Sequence, residues 1–196
     1  MQSLLENFWQ EHTQANKKIR EEIFGGVCQD ILICSCGHKE ELALEHMSEI
    51  VPIPTVGSIQ SGLEQLLIEE RIDWNCPKCD SLSVNKKQVI IQEPETLILQ
   101  LMRYKFDSLK NQVSKIHRQV FCEKRILMPS GTQYILNSII NHIGENTTSG
   151  HYNLMMYDEE ENSYMLLDDT NVSLLDVYHA NSDVSYIFVY EKDLIK

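Results

Sequence analysis

The sequence predicts an α+β protein built mainly from antiparallel strands, and three observations support that class. Short runs of alternating apolar and polar residues recur along most of the 196 residues, as expected for half-buried strands. Apolar residues follow a helical spacing in only two stretches, residues 3–20 and 59–70. A polar loop with two glycines joins the alternating runs 134–140 and 152–157, which indicates a β-hairpin. A chain of this length is expected to form one domain with a single core, with or without a segment that projects from it.

Composition excludes several classes of partner. The chain has 29 acidic and 17 basic residues and a net charge of −12, which argues against nucleic acid or an anionic membrane as the main partner. No apolar run approaches the roughly 20 residues needed to span a bilayer, and the amino terminus lacks the pattern of a signal peptide. We therefore expect an intracellular protein, in the cytoplasm, the nucleus or both. In a reducing compartment, its six cysteines indicate metal binding before disulfides.

The amino-terminal part of the chain is predicted to begin with a helix and to continue as short strands. Residues 3–20 form an amphipathic helix whose apolar face includes Phe8 and Trp9. Gly25 and Gly26 end this helix. The elements predicted next are strands at 27–33, 41–44 and 50–53 and a short helix at 59–70.

Two close pairs of cysteines predict a metal site. Cys34 and Cys36 form a C-x-C pair, and Cys76 and Cys79 form a C-x-x-C pair that begins forty residues after Cys36. Two pairs on tight turns can direct four sulfurs at one tetrahedral Zn2+ ion, which would be structural because no coordination position stays open. The C-x-C pair is one residue shorter than usual. Three alternatives remain: a tighter turn, replacement of one cysteine by His38, or a metal-free group of buried thiols.

The middle of the chain returns to strands around one basic segment. Residues 86–91 alternate like an outer strand, and residues 96–104 resemble a strand buried on both faces. Residues 107–119 are polar and basic, and we expect a solvated surface loop that includes Lys115. The remaining predicted elements are short strands at 120–122 and 126–129, one or two helical turns at 174–178, and a final strand at 185–190.

The hairpin tip holds the residues best suited to chemistry. His151 begins the second strand of the hairpin, and Asp168 follows seventeen positions later on a neighbouring strand. A carboxylate there would accept a hydrogen bond from one ring nitrogen, set the tautomer and leave the other nitrogen to take a proton from a nucleophile. The alternative is a surface histidine beside a turn. Asp169 would point to the opposite face of an extended strand and is the secondary candidate.

Several ordered motifs around this hairpin resemble the carboxy-terminal box of the ubiquitin-specific proteases, which are papain-like cysteine deubiquitinases. The motifs are Tyr134-x-Leu136, His142-x-Gly144, Gly150-His151-Tyr152, Leu167-Asp168-Asp169-x-x-Val172 and the run from Ser185 to Tyr190. Upstream, the segment from Pro94 to Tyr104 is similar to the family pattern P-x-x-L-x-L-x-L-x-R-F. The resemblance extends from about Phe24 to Tyr190. It implies a fragment of the papain-like fold, with a mainly antiparallel β palm, zinc-ribbon-like fingers and one amino-terminal helix.

The resemblance also implies a division of the chain and a role for each site residue. Residues 1–196 would form a partial catalytic domain, with a helix at 1–20, fingers at 21–90 and a palm at 91–196. The implied activity is thiol-dependent hydrolysis of ubiquitin carboxy-terminal peptide and isopeptide bonds, with ubiquitin and ubiquitinated proteins as partners and neither nucleic acid nor membrane. His151 would be the base, Asp168 its orienter and Asp169 a residue that shares this role. Gly150 and Tyr152 would line the channel for the diglycine tail of ubiquitin.

The nucleophile expected from this resemblance is absent from the sequence. In the family it lies in an upstream box of the form N-x-x-x-N-[S/A]-C-[Y/F/W], and none of the six cysteines has that context. One hypothesis is a part of an active protease that lacks its cysteine box. A second is an inactive ubiquitin-binding or scaffold module. A third, a zinc-ribbon protein unrelated to proteolysis, leaves the histidine and aspartate motifs unexplained, and under the first two we expect the 196-residue chain alone to be inactive.

Overall fold

The computed structural model describes residues 18, 21–46, 50–109, 111–145, 149–158, 163–175 and 181–193. Most of the helix predicted at 3–20, including its apolar face, lies outside these ranges. Residue 18 and residues 21–24 are helical. Within the described ranges, no helix is both long enough and apolar enough to cross a bilayer.

A smaller, antiparallel sheet contains the two cysteine pairs at one end. Its strands are β1 Val27–Ile33, β2 Lys39–His46, β4 Glu70–Asp73 and β5 Ser83–Gln92, in the order β2-β1-β5-β4. Strand β5 lies between β1 and β4, but β4 pairs only with residues 83–86 of it, so the outer position predicted for residues 86–91 is wrong for Lys86 alone. Its charged residues are accommodated by pairing, since Lys86 Nζ lies 2.9 Å from Asp30 Oδ2 on β1. The sheet has a small core of its own, made of Leu32, Cys34, Cys76 and Val84.

A larger sheet forms the rest of the molecule. Its strands are β3 Ile50–Pro54, β6 Thr96–Met102, β10 Arg125–Leu127, β11 Gln133–Ile143, β12 His151–Asp158, β13 Ser163–Asp168, β14 Asn171–Leu175 and β16 Ser185–Lys192. The order is β14-β13-β12-β11-β16-β6-β3, and β10 pairs with β11. Only the β3–β6 pair is parallel among the described strands. The mainly antiparallel α+β class predicted from the sequence is therefore confirmed.

The main core lies against this larger sheet and includes one helix. The helix, α1 Ile59–Leu66, begins after Ser58, whose side chain accepts a hydrogen bond from the Ser61 amide. Ile53, Ile59 and Leu63 belong to the same buried cluster as the strand residues of the larger sheet. The segment between the two cysteine pairs thus packs on the larger sheet in part, although it falls within the 21–90 range predicted for the fingers. Each fully buried aliphatic side chain contributes about 1.5–3 kcal/mol to folding, which favours this packing.

Three local predictions differ from the structure. The helix predicted at 59–70 ends at Leu66, and Glu70 is the first residue of β4. The surface loop predicted at 107–119 contains most of a hairpin, β7 Tyr104–Asp107 and β8 Gln112–Lys115. Its turn includes Asn111 with φ 49°, a conformation that asparagine tolerates. The helical turns predicted at 174–178 are wrong at Leu174 and Leu175, which lie on β14 and pair with β13. Residues 176–178 lie outside the described ranges. The two remaining short strands, β9 Val120–Phe121 and β15 Asn181–Ser182, pair with each other.

Candidate active site and cysteine cluster

Sheet register brings His151 and Asp168 together at one end of the larger sheet. His151 is the first residue of β12, Asp168 is the last of β13, and the pairing of Leu154 with Leu167 aligns the two ends. Asp168 Oδ1 accepts a hydrogen bond from His151 Nε2. The side chains are 44% and 37% exposed, so a reactant can approach them. With the proton on Nε2, the neutral ring has a lone pair on Nδ1 that can accept a proton.

The same contact makes the imidazole a stronger base. The hydrogen bond to Asp168 and the negative charge of that carboxylate raise the pKa of His151, and the charge of Asp169 adds to this effect. Partial burial acts in the opposite direction and is outweighed. A protonated His151 is therefore stabilised in place, which is what a group that accepts a proton from a nucleophile requires.

Asp169 lies on the same side as this pair, contrary to the prediction. Ligand atoms of His151, Asp168 and Asp169 all lie within 4.8 Å of one another. The alternation of side chains along an extended strand does not apply here, because Asp169 has a left-handed φ of 52° in the turn between β13 and β14. The structure thus brings all three predicted residues together, and their catalytic roles stay predictions.

The glycine that precedes His151 is required by a buried neighbour. A Cβ atom at Gly150 would lie 2.2 Å from His142 Nε2 and 2.9 Å from the Ile143 carbonyl oxygen, both far inside contact distance. The predicted reason for Gly150, close approach of a substrate tail, stays a prediction beside this second requirement. Tyr152, the other predicted channel residue, is 47% exposed and packs its ring 4.8 Å from that of His142.

His142 is a structural member of the site. Its side chain is buried, at 2% exposure, and burial together with the charge of Lys115 lowers its pKa, so the ring stays neutral. His142 Nδ1 lies 3.3 Å from the Tyr104 hydroxyl oxygen and 3.2 Å from Lys115 Nζ. His142 is thus buried with a lowered pKa, whereas His151 is partly exposed with a raised pKa.

Lys115 is a buried residue that sequence reasoning missed. The prediction of a solvated position is wrong, because Lys115 is only 9% exposed and its Nζ donates to the carbonyl oxygens of His142 and Gly144, each at 2.7 Å. Nothing in the local sequence separates it from Lys105 or Lys110, since its partners are main-chain groups of a distant segment. The pattern of β8 gives no signal for its burial either, since Gln112, Val113 and Ser114 are exposed and only Lys115 is buried.

Arg103 is a second buried cation that donates hydrogen bonds to main-chain carbonyl groups of distant segments. It is fully buried and donates to the carbonyl oxygens of Ser185 at 2.6 Å, Arg118 at 2.8 Å, Ser182 at 3.1 Å and Ile116 at 3.2 Å. A guanidinium group has enough donors to satisfy four such acceptors. Its position in the P-x-x-L-x-L-x-L-x-R-F segment was the sequence signal for this residue.

The four paired cysteines also converge. Their sulfur atoms all lie within 4.8 Å of one another, with Cys34 Sγ 3.5 Å from Cys79 Sγ and Cys36 Sγ 3.7 Å from Cys76 Sγ. A tetrahedral ion with metal–sulfur bonds of about 2.3 Å needs sulfur atoms about 3.8 Å apart, so the four residues fit Zn2+. The Cys36 backbone amide and the neighbouring thiols lower the pKa of Cys34. At Cys79, the Ser81 backbone contact is outweighed by the other thiols, which raise the pKa, so the cluster loses its first proton at Cys34.

Tight turns present each cysteine pair, including the shorter one. In the C-x-C turn, the Gly37 amide donates to the Cys34 carbonyl oxygen at 2.9 Å and Gly37 has φ 87°, which glycine adopts readily. In the C-x-x-C turn, the Asp80 amide donates to the Cys76 carbonyl oxygen at 3.1 Å. His38 is outside the group of four ligand atoms and stacks on Trp74 instead, so the alternative in which it replaces a cysteine is not supported.

All six cysteines lie away from His151. Four form the cluster, Cys28 is buried on β1, and Cys122 belongs to the main core with its sulfur 3.6 Å from the Tyr190 hydroxyl oxygen. Among the described residues, the group formed by His151, Asp168 and Asp169 includes no cysteine sulfur.

Comparison with known proteins gives a consistent result. Residues 1–190 match the profile of a family described as ubiquitin carboxyl-terminal hydrolase. The chain is 27% identical over 179 residues to the probable ubiquitin carboxyl-terminal hydrolase 8 of Schizosaccharomyces pombe, an alignment that covers 88% of this chain and 39% of the relative. It is 30% identical over 184 residues to ubiquitin carboxyl-terminal hydrolase 25 of Arabidopsis thaliana, which covers 88% of this chain and 28% of the relative. The chain thus spans less than half the length of these relatives.

Solved structures show the same fold. A SAGA DUB module of Ubp8, Sgf11, Sus1 and Sgf73 bound to monoubiquitin contains a chain with a TM-score of 0.80 and 18% identity, covering 91% of this chain and 42% of that one. The same module bound to ubiquitin aldehyde gives a TM-score of 0.81 and 16% identity, covering 98% of this chain and 47% of the other. At these identities the similarity establishes the fold alone.

Proposed function

Because the chain belongs to the ubiquitin carboxyl-terminal hydrolase family, we propose that it supplies the proton acceptor and ubiquitin-tail channel of a thiol-dependent deubiquitinase. The observation that carries the proposal is the hydrogen bond that His151 Nε2, in the segment Gly150-His151-Tyr152, donates to Asp168. A histidine oriented by a carboxylate is the arrangement that activates a thiol nucleophile. The bound ubiquitin in similar modules gives additional support.

In the proposed reaction, His151 Nδ1 takes the proton of a cysteine thiol while Asp168 holds the ring. The thiolate attacks the carbonyl carbon of the terminal glycine of ubiquitin, the carbon–nitrogen bond breaks, and the imidazolium returns its proton to the leaving amine. A water molecule, deprotonated by the same nitrogen, then attacks the thioester. This step releases the ubiquitin carboxylate and restores the thiol, so that protons and bonds balance over the cycle.

In this proposal the nucleophile is none of the six cysteines of this chain, since four form the cluster and the other two are buried elsewhere. It would lie on another segment. The chain corresponds to 39% and 28% of the length of two relatives, which leaves room for such a segment in a longer protein. The absence of a cysteine from the described His151 group favours a second candidate function, an inactive module that binds ubiquitin.

The cysteine cluster has a structural part in this proposal. Cys34, Cys36, Cys76 and Cys79 would hold one Zn2+ ion and leave it no open position for a reactant. The ion would cross-link two turns of the smaller sheet that are forty residues apart in sequence. It would take no part in the hydrolysis.

A binding experiment tests the ubiquitin-tail channel. Isotope-labelled chain is titrated with ubiquitin and followed by NMR, and ubiquitin without its two terminal glycines is the matched control. We expect the intact protein to shift the signals of Gly150, His151 and Tyr152, because the tail lies beside them. The shortened protein should leave these three signals in place. Equal effects of both proteins, or no effect of either, would rule out the channel.

A labelling experiment tests the location of the nucleophile. The 196-residue chain is incubated with ubiquitin that carries a carboxy-terminal electrophile, and the products are analysed by mass spectrometry. We expect no adduct, because none of the six cysteine sulfurs lies with the His151 group. An adduct on any of them would show that the chain has its own nucleophile.

A further inference from the structure

Lys115 joins the β7–β8 hairpin to the end of β11, the strand that pairs with the strand of His151. It is the last residue of β8, and its ammonium group reaches the end of β11 on the larger sheet. An ammonium group has three N–H donors, and three acceptors surround this one: the carbonyl oxygens of His142 and Gly144 at 2.7 Å and His142 Nδ1 at 3.2 Å. We propose that Lys115 is a positioning residue for His151, an inference that rests on the proposed function.

The two carbonyl contacts hold the strand segment that pairs with His151. His142 and Gly144 flank Ile143, and Ile143 is the cross-strand partner of His151 in the β11–β12 pair. A cation bonded to the carbonyl groups on both sides of Ile143 fixes the direction of that peptide segment. The position at which β12 begins is fixed with it, because register transmits the placement of Ile143 to His151.

The third contact acts through the ring of His142. Hydrogen bonds at Nδ1 orient this imidazole, and its Nε2 then lies against the backbone of Gly150, where a Cβ atom would be only 2.2 Å away. Gly150 immediately precedes His151. Movement of the His142 ring would therefore displace the residue to which His151 is bonded.

Lys115 is itself held from the other side. The Ile116 amide donates to the Arg103 carbonyl oxygen at 2.7 Å, and the Arg103 guanidinium donates back to the Ile116 carbonyl oxygen at 3.2 Å. Lys115 also pairs with Tyr104 across the β7–β8 hairpin. The lysine thus extends from a backbone that two hydrogen bonds tie to Arg103 toward the carbonyl oxygens of His142 and Gly144 at the end of β11.

The alternative for Lys115 is a role in overall stability without any effect on His151. A buried ammonium group with three acceptors is costly to remove wherever it occurs. The two roles differ in what they predict for the imidazole of a folded variant. A positioning role changes the tautomer of His151, whereas a role in stability alone leaves it unchanged.

The test measures the His151 ring in the 196-residue chain without ubiquitin. Nitrogen chemical shifts of the labelled imidazole distinguish the Nε2–H form from the Nδ1–H form above the pKa of the ring. In the unchanged chain we expect the Nε2–H form, which donates to Asp168. In Lys115→Met we expect a mixture of both forms and amide exchange at Ile143 and His151 that is about tenfold faster. Lys115→Arg keeps the cation and should restore most of the Nε2–H form.

Lys105→Met is the matched control, because Lys105 is an exposed lysine of the same hairpin. It should leave the tautomer and the exchange rates unchanged. An unchanged tautomer in folded Lys115→Met overturns the proposal. If that variant is unfolded, Lys115→Gln is judged by the same criterion, and unfolding of both variants also overturns the proposal, because the lysine would then support the whole fold.

The tautomer measurement and the ubiquitin titration separate a failure of this inference from a failure of the proposed function. If the chain does not bind ubiquitin but the His151 tautomer changes in Lys115→Met, the positioning role of Lys115 stands and only the deubiquitinase proposal fails. If the chain binds the ubiquitin tail but the tautomer is unchanged in Lys115→Met, the proposed function stands and the positioning role of Lys115 is ruled out.

Discussion

The cysteine cluster and the His151 site are stabilised in opposite ways. At the cluster, the site and the core overlap, since Cys34 and Cys76 make up half of the four-residue core of the smaller sheet while Cys36 and Cys79 are exposed. At the other site, the core belongs to the larger sheet, and the candidate residues His151 and Asp168 are partly exposed at the end of that sheet. Buried cations, Lys115 and Arg103, connect that end to the rest of the molecule through carbonyl groups. Loss of a metal ligand should therefore unfold the smaller sheet around the cysteine cluster, whereas loss of a hydrogen bond should only misalign the His151 site.

The largest expected effect is removal of the proposed metal. Purified chain should contain about one zinc ion, and Cys76→Ser should contain almost none. Amide protection in the cysteine turns and in β1 and β5 should then fall by about 100-fold or more, while β11 and β12 keep theirs, because only the smaller sheet depends on the ion. Metal analysis and hydrogen exchange provide the measurements.

Cys28→Ser is the control for this prediction, since Cys28 is also buried in the smaller sheet but is not part of the cluster. It should retain the zinc. Wild-type chain without zinc, or the same loss of protection in both variants, would contradict the difference between the two sites.

A matched pair of core substitutions should give the next largest effect. Leu99 is fully buried in the main core, and Leu32 is 3% exposed in the smaller one. Leu99→Ala should lower the free energy of unfolding of the whole chain by about 3–5 kcal/mol, because the cavity lies among many fixed neighbours. Leu32→Ala should cost about 2–3 kcal/mol and act mainly on the smaller sheet, whose core can collapse more easily. Urea denaturation with hydrogen exchange measures both, and equal global losses would mean that the two cores unfold as one.

The next effect concerns titration rather than packing. Asp168→Asn should lower the pKa of His151, because the substitution removes the main hydrogen bond to the imidazolium and the charge that favours it. The sign follows from linkage: a raised pKa in the folded state contributes stability at pH values below the unfolded pKa, and this contribution is lost as pH rises through the folded pKa. The substitution should therefore reduce stability mainly on the acidic side, by a small amount for so exposed a pair.

An NMR titration of His151 checks this prediction. Glu41→Gln, which removes an exposed carboxylate from the smaller sheet, is the control and should leave the His151 pKa unchanged. A pKa that stays raised in Asp168→Asn would mean that Asp169 or another group holds the imidazolium.

The smallest effect should come from an exposed lysine. Lys39 Nζ lies 2.8 Å from Glu41 Oε1, but both side chains are more than half exposed. Lys39→Met should change the free energy of unfolding by no more than about 0.5 kcal/mol, because water screens the pair. Denaturant unfolding measures this change. If Lys39→Met lowered the free energy of unfolding as much as Lys115→Met does, burial of a lysine would not decide how much it contributes to stability.

Much of the fold could be predicted because local pattern and tertiary structure agree there. The alternating runs on both sides of the polar loop became the β11–β12 hairpin, longer than predicted at both ends. The two cysteine pairs and the pair His151 and Asp168 were recognisable because their chemistry requires particular residue types at limited spacings. In these regions, the residues that form the strands and the candidate sites are the same residues that make up the recognisable sequence pattern.

Other features depended on contacts between distant segments. Leu174 and Leu175 fit one helical turn by sequence, but pairing with β13 made them part of a strand. Asp169 faces His151 only because a turn reverses the chain at that residue. The pairing of residues 83–86 of β5 with β4 likewise follows from which strand lies next to them and not from their own composition.

The sequence by itself determined the α+β class, the cysteine pairs and the residue types of the His151 site, since each depends on composition or short-range spacing. Only the tertiary structure decided that Lys115 is buried and that Gly150 must lack a side chain. The physical reason is that their partners are main-chain carbonyl groups and a buried ring far away in sequence. Every residue carries a carbonyl group, so no sequence pattern identifies which ones a buried cation will bind.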